Sequence, residues 1–490
     1  MTVRMRVIVR VALAALVLAV LFFAGYAAVA RRLLSGPKLR AAINVKAEEF
    51  FMDWDEATSV WPGRVTVRNL RIRGSDPNVQ WIVTIPQGTL RYSVFTLLRH
   101  KFLVTELRPQ SIQFRLRQKV KPEDATDPRL KYLPPIPGFS DPPLREGRSL
   151  PPPESNPFTV ELLDVTTPAF DDIWVDGYRY RGPSTLHGRF RLKPGHRAQI
   201  GPASVEFRGG ELQINETPAM TPLEGRLDAT FEDWDVQELI ENKVWKVVTA
   251  KVSLSGPTPS VDAIDGLLKL GKKVHVSGGP GKLAIAGEID HGIAKGSVDL
   301  TAKDGRYRRP DLRLVGSADA HLQFSDWNLD GGAPEIGGSS LKLTDVFVAG
   351  EKGRSRGWWG KFEIPSGRLS NDLTAKVVIQ CRDARPLFAF LDDTLPKWAQ
   401  GMLKLEGLTA TADVVLSEPR TTVRNLEVKG GEYAIEGEYD RRGERSRGAF
   451  FVEGNLLNVA VEIVDGKPKL HLLTPRKWFD TQRGLSVASR

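Results

Sequence analysis

The chain has 490 residues, 41% hydrophobic and 26% charged, with a mean hydropathy of −0.25. That usage excludes a disordered chain and a polytopic membrane protein. The net charge is +10, but residues 1–50 alone carry eight Lys/Arg against two Glu, so the folded part lacks the basic excess of a nucleic-acid binder. A single cysteine, Cys381, excludes an intrachain disulfide.

Val11–Ala30 reads VALAALVLAVLFFAGYAAVA, 20 residues without a charge. At 1.5 Å per residue a helix of this length spans about 30 Å, one hydrocarbon core. Arg4, Arg6 and Arg10 flank one end, and Arg31 and Arg32 the other. The reading is an uncleaved single-pass anchor. The rival is a signal peptide, because Ala28-Val29-Ala30 has the small-x-small form, although the run exceeds an h-region of about 7–15 residues. Three Arg and the α-amino group on one flank against Arg31, Arg32, Lys38, Arg40 and Lys46 on the other slightly favour a cytoplasmic C-side, but a large domain can translocate regardless of so small an imbalance, so the orientation stays open.

After the anchor the apolar period is two. Val65, Val67, then Leu70, Ile72 alternate with polar residues, and so do Ile112, Phe114 and Leu116. The 45 Gly and 33 Pro supply turns throughout. Helical patterning is confined to Pro37–Met52, Val236–Val244, Val261–Leu270 and Pro386–Leu391. The expected fold is mainly β: a transmembrane helix, then an elongated, repetitive, curved antiparallel sheet forming a groove, with a few short helices. Its expected divisions are an anchor (1–36), an N-terminal β unit (37–118), a Pro-rich insertion or linker (119–157), a longer β body (158–475) and a tail (476–490).

One element recurs. Val67-Arg-Asn-Leu-Arg-Ile-Arg-Gly74 reappears as Val423-Arg-Asn-Leu-Glu-Val-Lys-Gly430, with looser copies at Phe324–Gly331 and Leu343–Gly350. The first two apolar residues are three apart, so the side-chain phase flips at the Asn or Asp, which calls for a bulge or bend there. A second element follows a Gly pair, at Arg208–Ile214 and Lys429–Ile435, with hairpin-like spacing. Repeated units argue for nearest-neighbour contacts along an extended sheet. Because the phase flips, only part of each repeat is expected to line one groove. The candidate lining is Val65, Val67, Leu70, Ile72, Val423, Leu426, Val428, Tyr433 and Ile435.

Catalytic chemistry leaves no mark. No two of the seven His stand at metal-helix spacing. Gly278-Gly-Pro-Gly-Lys282 lacks the leading Gly and the Ser/Thr of a phosphate loop and reads as a hairpin turn. No cofactor, no metal and no nucleic-acid partner are expected. Two clusters mix bases with aromatics, Lys352–Lys361 and Arg476–Phe479. Arg356, Trp358, Trp359, Arg476, Lys477 and Trp478 are candidate membrane-surface contacts, the alternative being a solvated hairpin tip and an ordinary tail.

Trp61–Arg117 runs WPGRVTVRNLRIRG, then an alternating strand to Thr89–Val94, then Phe95–Lys101 with Leu97-Leu98, then a strand through Pro109. This resembles the start of AsmA-like proteins, bacterial relatives of bridge-like lipid-transfer proteins. Asp383-Ala-Arg-Pro-Leu387 and Pro396-Lys-Trp398 are similar to later segments of that family. The resemblance implies an inner-membrane anchor, a periplasmic body, and an apolar β groove that carries phospholipid toward the outer membrane or supports outer-membrane homeostasis. An apolar groove lowers the cost of moving acyl chains, about 0.8 kcal/mol per exposed CH₂, without a catalytic residue. The alternative is a non-transporting envelope scaffold that assists assembly of outer-membrane proteins, pairing an exposed sheet edge with a client strand.

Overall fold

The computed structural model describes residues 21–488 except 45–46, 48–49, 77, 98, 100, 146–158, 194–196, 236–243, 264–274, 310–311, 351–352, 371, 385–405, 418–419 and 456–457. The protein is mainly β. It divides into two compact units, one running to residue 252 apart from 218–220, the other comprising those three residues and 253 onward. The division thus falls well past the Pro-rich segment. Strands β13 (Thr217–Met220) and β15 (Val248–Thr258) contain the points of division.

Unit 1 opens with helix α1 over residues 21–35. Helix α2 (Pro37–Ile43) follows with Pro at its first turn. It is shorter than the periodicity to Met52 suggests. Asn44 closes it, and its side chain clamps Met52 by donating to Met52 O at 2.9 Å and accepting from Met52 N at 2.7 Å. That clamp starts β1 (Phe50–Asp53) in place of more helix. Among the described residues no helix is long and apolar enough to cross a membrane. Residues 11–20 of the expected anchor lie outside them, as do the expected helices over 264–270 and 386–391 and most of Val236–Val244.

The sheet of unit 1 continues through β2 (Glu56–Trp61), β3 (Arg64–Ser75), β4 (Val79–Tyr92), helix α3 (Val94–Leu97), β5 (Lys101–Pro109) and β6 (Ile112–Gln118). Then come β7 (Thr159–Thr167), β8 (Phe170–Val175), β9 (Tyr178–Arg181), β10 (Ser184–Lys193), β11 (Arg197–Arg208), β12 (Glu211–Ile214) and β14 (Glu224–Asp235). Long β4 is flanked end to end by β5 and β6, which pair in parallel with β7 and β8. The sheet is therefore mixed, where a wholly antiparallel one was expected. Gly209 and Gly210 do not fold β12 back on β11; β12 pairs with β9, so this Gly pair bends the chain and makes no hairpin.

Unit 2 is a meander. It comprises β16 (His275–Gly278), β17 (Gly281–Asp290), β18 (Ile293–Arg309), β19 (Leu312–Asn328), β20 (Ser339–Gly350), β21 (Gly353–Leu369) and β22 (Leu373–Asp383). It continues with β23 (Glu406–Leu416), β24 (Arg420–Gly430), β25 (Tyr433–Arg442), β26 (Arg445–Gly454), β27 (Val459–Val464) and β28 (Lys467–His471). Each strand from β17 onward pairs antiparallel with the next. The second Gly pair does close a hairpin here, with Gly430 opposite Tyr433. Gly278–Lys282 is a kink between β16 and β17, which both pair with β18, and no hairpin turn.

The recurring Asn or Asp is left-handed in all four copies: φ is 51° at Asn69, Asp326 and Asp345, and 48° at Asn425. In β19, β20 and β24 it sits in a bulge, so three residues on its strand span two on a neighbour, as between Val423 and Leu426 opposite Tyr439 and Gly437. Asn69 and Asn425 also donate from Nδ2 to an Asp on the adjoining chain, Asp55 at 2.7 Å and Asp413 at 2.6 Å. The flip does not divide the apolar set. A step of three across one phase change returns Val65, Val67 and Leu70 to the same face, and all three are buried together.

The Pro-rich segment is more than a spacer. Residues 119–144 lie against the polar face of unit 1, held by arginines from β3 and β6. Arg73 donates to Pro137 O at 2.8 Å and Arg115 to Pro135 O at 3.0 Å. Arg117, only 1% exposed, donates to Gln80 Oε1 at 2.9 Å, Ser140 O at 3.0 Å and Pro134 O at 3.3 Å, and pairs with Asp141. Prolines offer carbonyls but no N–H, so arginine donors suit them. Ile136 is buried beneath the strap. Gly138 turns beside Arg73 with φ +87°, a left-handed conformation that favours glycine.

Two predictions follow from this architecture. Arg117→Met removes donors from four acceptors, Gln80, Pro134, Ser140 and Asp141, and should cost about 3 kcal/mol in denaturant unfolding; a loss below about 0.5 kcal/mol would show that the strap adds no stability. Asn425→Val should cost about 1–2 kcal/mol because a β-branched residue resists the left-handed region, while Asn425→Gly should keep the bulge at small cost. Equal losses for the two would place the role of Asn425 in its bond to Asp413.

Candidate functional site

The register of unit 2 generates a continuous apolar surface. Leu283, Leu300, Ala320, Leu341, Phe362, Ile379, Ala410, Val428, Ile435, Val452 and Val459 pair in succession, one from each strand from β17 to β27. A parallel row one inward position away runs Gly281, Ala302, Ala318, Leu343, Gly360, Cys381, Leu408. On the other side of the first row lie Ile285, Val298, Leu322 and, further along, Leu426, Gly437, Phe450, Val461, Leu470. Side chains two apart on a strand share a face at about 6.7 Å spacing. The apolar band is thus roughly 20 Å across and, over eleven strands about 4.8 Å apart, on the order of 50 Å along.

The residues between these rows face the other way and are mostly polar, with apolar exceptions such as Phe451 and Ala460. One row reads Lys282, Thr301, Asp319, Lys342, Lys361, Gln380, Thr409, Lys429, Ala434, Glu453. Helix α4 (Pro475–Ala488) lies on this polar face at its β26–β27 end. Phe479 is buried against Phe451 and Ala460, Trp478 stacks on His471 at 4.0 Å, and Arg476 reaches Glu436 at 2.7 Å while lying over Phe451. Among the described residues α4 is the one helix with extended contact on the sheet of unit 2, and it lies on the polar face. Many members of the apolar rows are half-buried and Leu322 is 42% exposed, while Leu283, Cys381, Leu408, Ala410 and Val452 are buried.

The candidate lining residues separate by unit. Val65, Val67 and Leu70 are core residues, and Ile72 packs against them. Leu34 of α1 and Leu39 and Ile43 of α2 pack on the same cluster, so this end of unit 1 is closed. Beyond it the apolar face continues across unit 1, as in the row Tyr92, Val104, Leu162, Phe190, Ile200, Phe231. The C-terminal set lies on the apolar face of unit 2. Val423, Leu426, Val428 and Ile435 are half-buried, and Tyr433 is 44% exposed at a strand end.

The candidate membrane contacts fare unevenly. Trp358 is 1% exposed, packs with Val346, Leu408 and Cys381, and donates from Nε1 to Asp383 O at 3.0 Å, so it is core. Trp359 is 43% exposed on the polar face beside Lys361. Arg356 is exposed and lies over Phe347. Arg476 and Trp478 fasten α4 to the sheet, and Lys477 is exposed beside them. A Trp pair in sequence cannot reveal which member points inward until the strand's phase is known, and the bulge at Asp345 on the neighbouring strand helps set it.

Among the described residues no group of three His, Cys, Asp or Glu is placed to hold a metal. Cys381 is fully buried. Burial, reinforced by the nearby Asp383, pushes its thiol up to about 11. Comparison of the chain with protein-family models, curated proteins and solved structures gave no match.

The thiol supplies a test of the packing. The native protein at pH 8 should react with a maleimide far more slowly than protein unfolded in guanidinium, because thiolate is scarce and access is blocked. Equal rates would mean that the cluster around Trp358 opens freely.

Proposed function

We propose that the protein is an anchored, AsmA-like lipid carrier of the Gram-negative envelope, set in the inner membrane with its body in the periplasm. Phospholipid acyl chains lie along its apolar sheet face while headgroups remain in water. The observation that carries this reading is the unbroken apolar row from Leu283 to Val459, backed by a polar face that holds the only helix in extended contact with that sheet among the described residues. A buried core would need a covering layer; a binding surface for a flexible apolar ligand needs none. Carriage along such a face requires no catalytic group. Each CH₂ kept from water is worth about 0.8 kcal/mol, and a ligand can slide between equivalent rows. The resemblance of Trp61–Arg117 to AsmA-like proteins supplies the compartment and the lipid class.

In-cell photo-crosslinking tests the proposal. A benzophenone amino acid at Phe362 or Tyr433 on the apolar face should capture ³²P-labelled phospholipid, while the same group at Lys361 or Gln380 should not. Capture of outer-membrane proteins in place of lipid would favour an assembly scaffold, and equal lipid capture on both faces would contradict the groove.

A further inference from the structure

Helix α1 bears two apolar stripes. One faces the sheet of unit 1. Phe23 meets Trp61 edge-on at 4.3 Å, the Tyr26 and Ser59 hydroxyls are 2.7 Å apart, Ala30 is buried, and Leu34 O accepts from Trp54 Nε1 at 3.0 Å. The other stripe, Phe22, Val29 and Leu33, is 62%, 59% and 59% exposed. Spacings of seven and eleven place these three on one line of a helix.

Further apolar side chains are exposed at the end of unit 1 where Trp61 meets Phe23 of α1. Val60 and Trp61, at the β2–β3 turn, are 64% and 57% exposed, and Phe95 in α3 is 83% exposed. Register brings the two turns to the same end of the sheet: Arg64 lies opposite Arg91, and Tyr92 N donates to Gly63 O at 2.8 Å. A patch of this kind implies an occupant, and the chain indicates which. Residues 11–20, which lead into α1, carry no charge. Arg31, Arg32, Arg64 and Arg99 are exposed around the patch, which suits anionic headgroups. Trp and Tyr settle at a bilayer interface.

We infer that this end of unit 1 is seated in the headgroup–hydrocarbon boundary of a phospholipid bilayer, with Trp61 and Phe95 inserted beside the anchor. The inference rests on reading Val11–Ala30 as an anchor and sharpens it. On its sheet-facing side the helix packs on protein at Tyr26 and Ala30, while Val29 and Leu33 on the other stripe remain at the membrane boundary. Strands β3 and β4 then rise from the membrane, and the closed core beneath α1 and α2 is the rigid foot.

The test uses the full chain with Cys381→Ala and one new cysteine, Trp61→Cys, Phe95→Cys or Gln118→Cys, carrying an NBD dye. Gln118 is exposed at the far end of β4 from Tyr92, about 40 Å away at 3.3 Å per residue. Each protein is reconstituted into phosphatidylethanolamine–phosphatidylglycerol vesicles containing doxyl lipid. Flotation with the vesicles reports the anchor independently. The expected result is flotation of all three, with a blue shift and strong quenching at 61 and 95 and neither at 118. Flotation with positions 61 and 95 as wet as 118 would overturn the seating and spare the anchor. Failure to float would overturn both, and dye at 95 shielded from water yet unquenched by lipid would assign the patch to a protein partner.

Discussion

Side chains alternate along a strand, so a wide sheet keeps an apolar face only if every strand stays in phase with both neighbours. The whole arrangement depends on that constraint. Across unit 2 it is met by eleven strands in succession, and in β19, β20 and β24 a left-handed Asn or Asp restores the phase across a bulge. Each bulge inserts a residue and increases local twist, yet returns the next apolar side chain to the same side. Val423 and Leu426 are three apart in sequence and both half-buried for this reason. Without the bulge, every residue beyond Asn425 would present its polar side to the apolar face.

The same rule explains what covers each face. Polar rows attract polar partners: arginines of unit 1 bind the prolyl carbonyls of the strap, and in unit 2 Glu436 receives Arg476 of α4. The apolar face of unit 1 is closed at one end, where α1 and α2 supply Leu34, Leu39 and Ile43. Energetically the closed foot resembles an ordinary core, in which removing a large side chain costs roughly 2–5 kcal/mol. At half-exposed positions of the apolar face of unit 2, such as Leu322, a substitution should cost less.

Period-two alternation in the sequence was sufficient to read the β class, and the step of three was sufficient to mark the left-handed residue at Asn69 and Asn425; the structure has a bulge at Asn425 and none at Asn69. Three features were out of reach. The consequence of the flip required pairing partners, since one strand alone does not say which face its neighbour presents. The strap was hidden because proline composition speaks only of missing N–H groups, while the donors that bind it, Arg73, Arg115 and Arg117, lie in strands remote from it in sequence. The parallel joins of β5 with β7 and β6 with β8 are nonlocal contacts with no sequence signature of their own. The candidate membrane contacts were legible as a residue type but not as exposed positions: Trp358 is core, whereas Trp61 and Phe95, singled out only for their place in a motif, stand exposed. An aromatic beside a Pro-Gly turn, as Trp61-Pro62-Gly63, was the available signal for the first of them.

The proposed function requires the apolar face of unit 2, outside the buried cluster around Trp358, to be an open binding surface and not a core. Paired substitution decides this most directly: Leu322→Asp on the apolar face and Gln380→Asp on the polar face, each purified as the full chain and measured for thermal unfolding and for bound phospholipid by mass spectrometry. The account predicts that both fold, that Leu322→Asp lowers stability by only about 1 kcal/mol because the site is already part-solvated, and that it alone loses its lipid. Unfolding of Leu322→Asp by several kcal/mol, or retention of lipid at the level of Gln380→Asp, would contradict it.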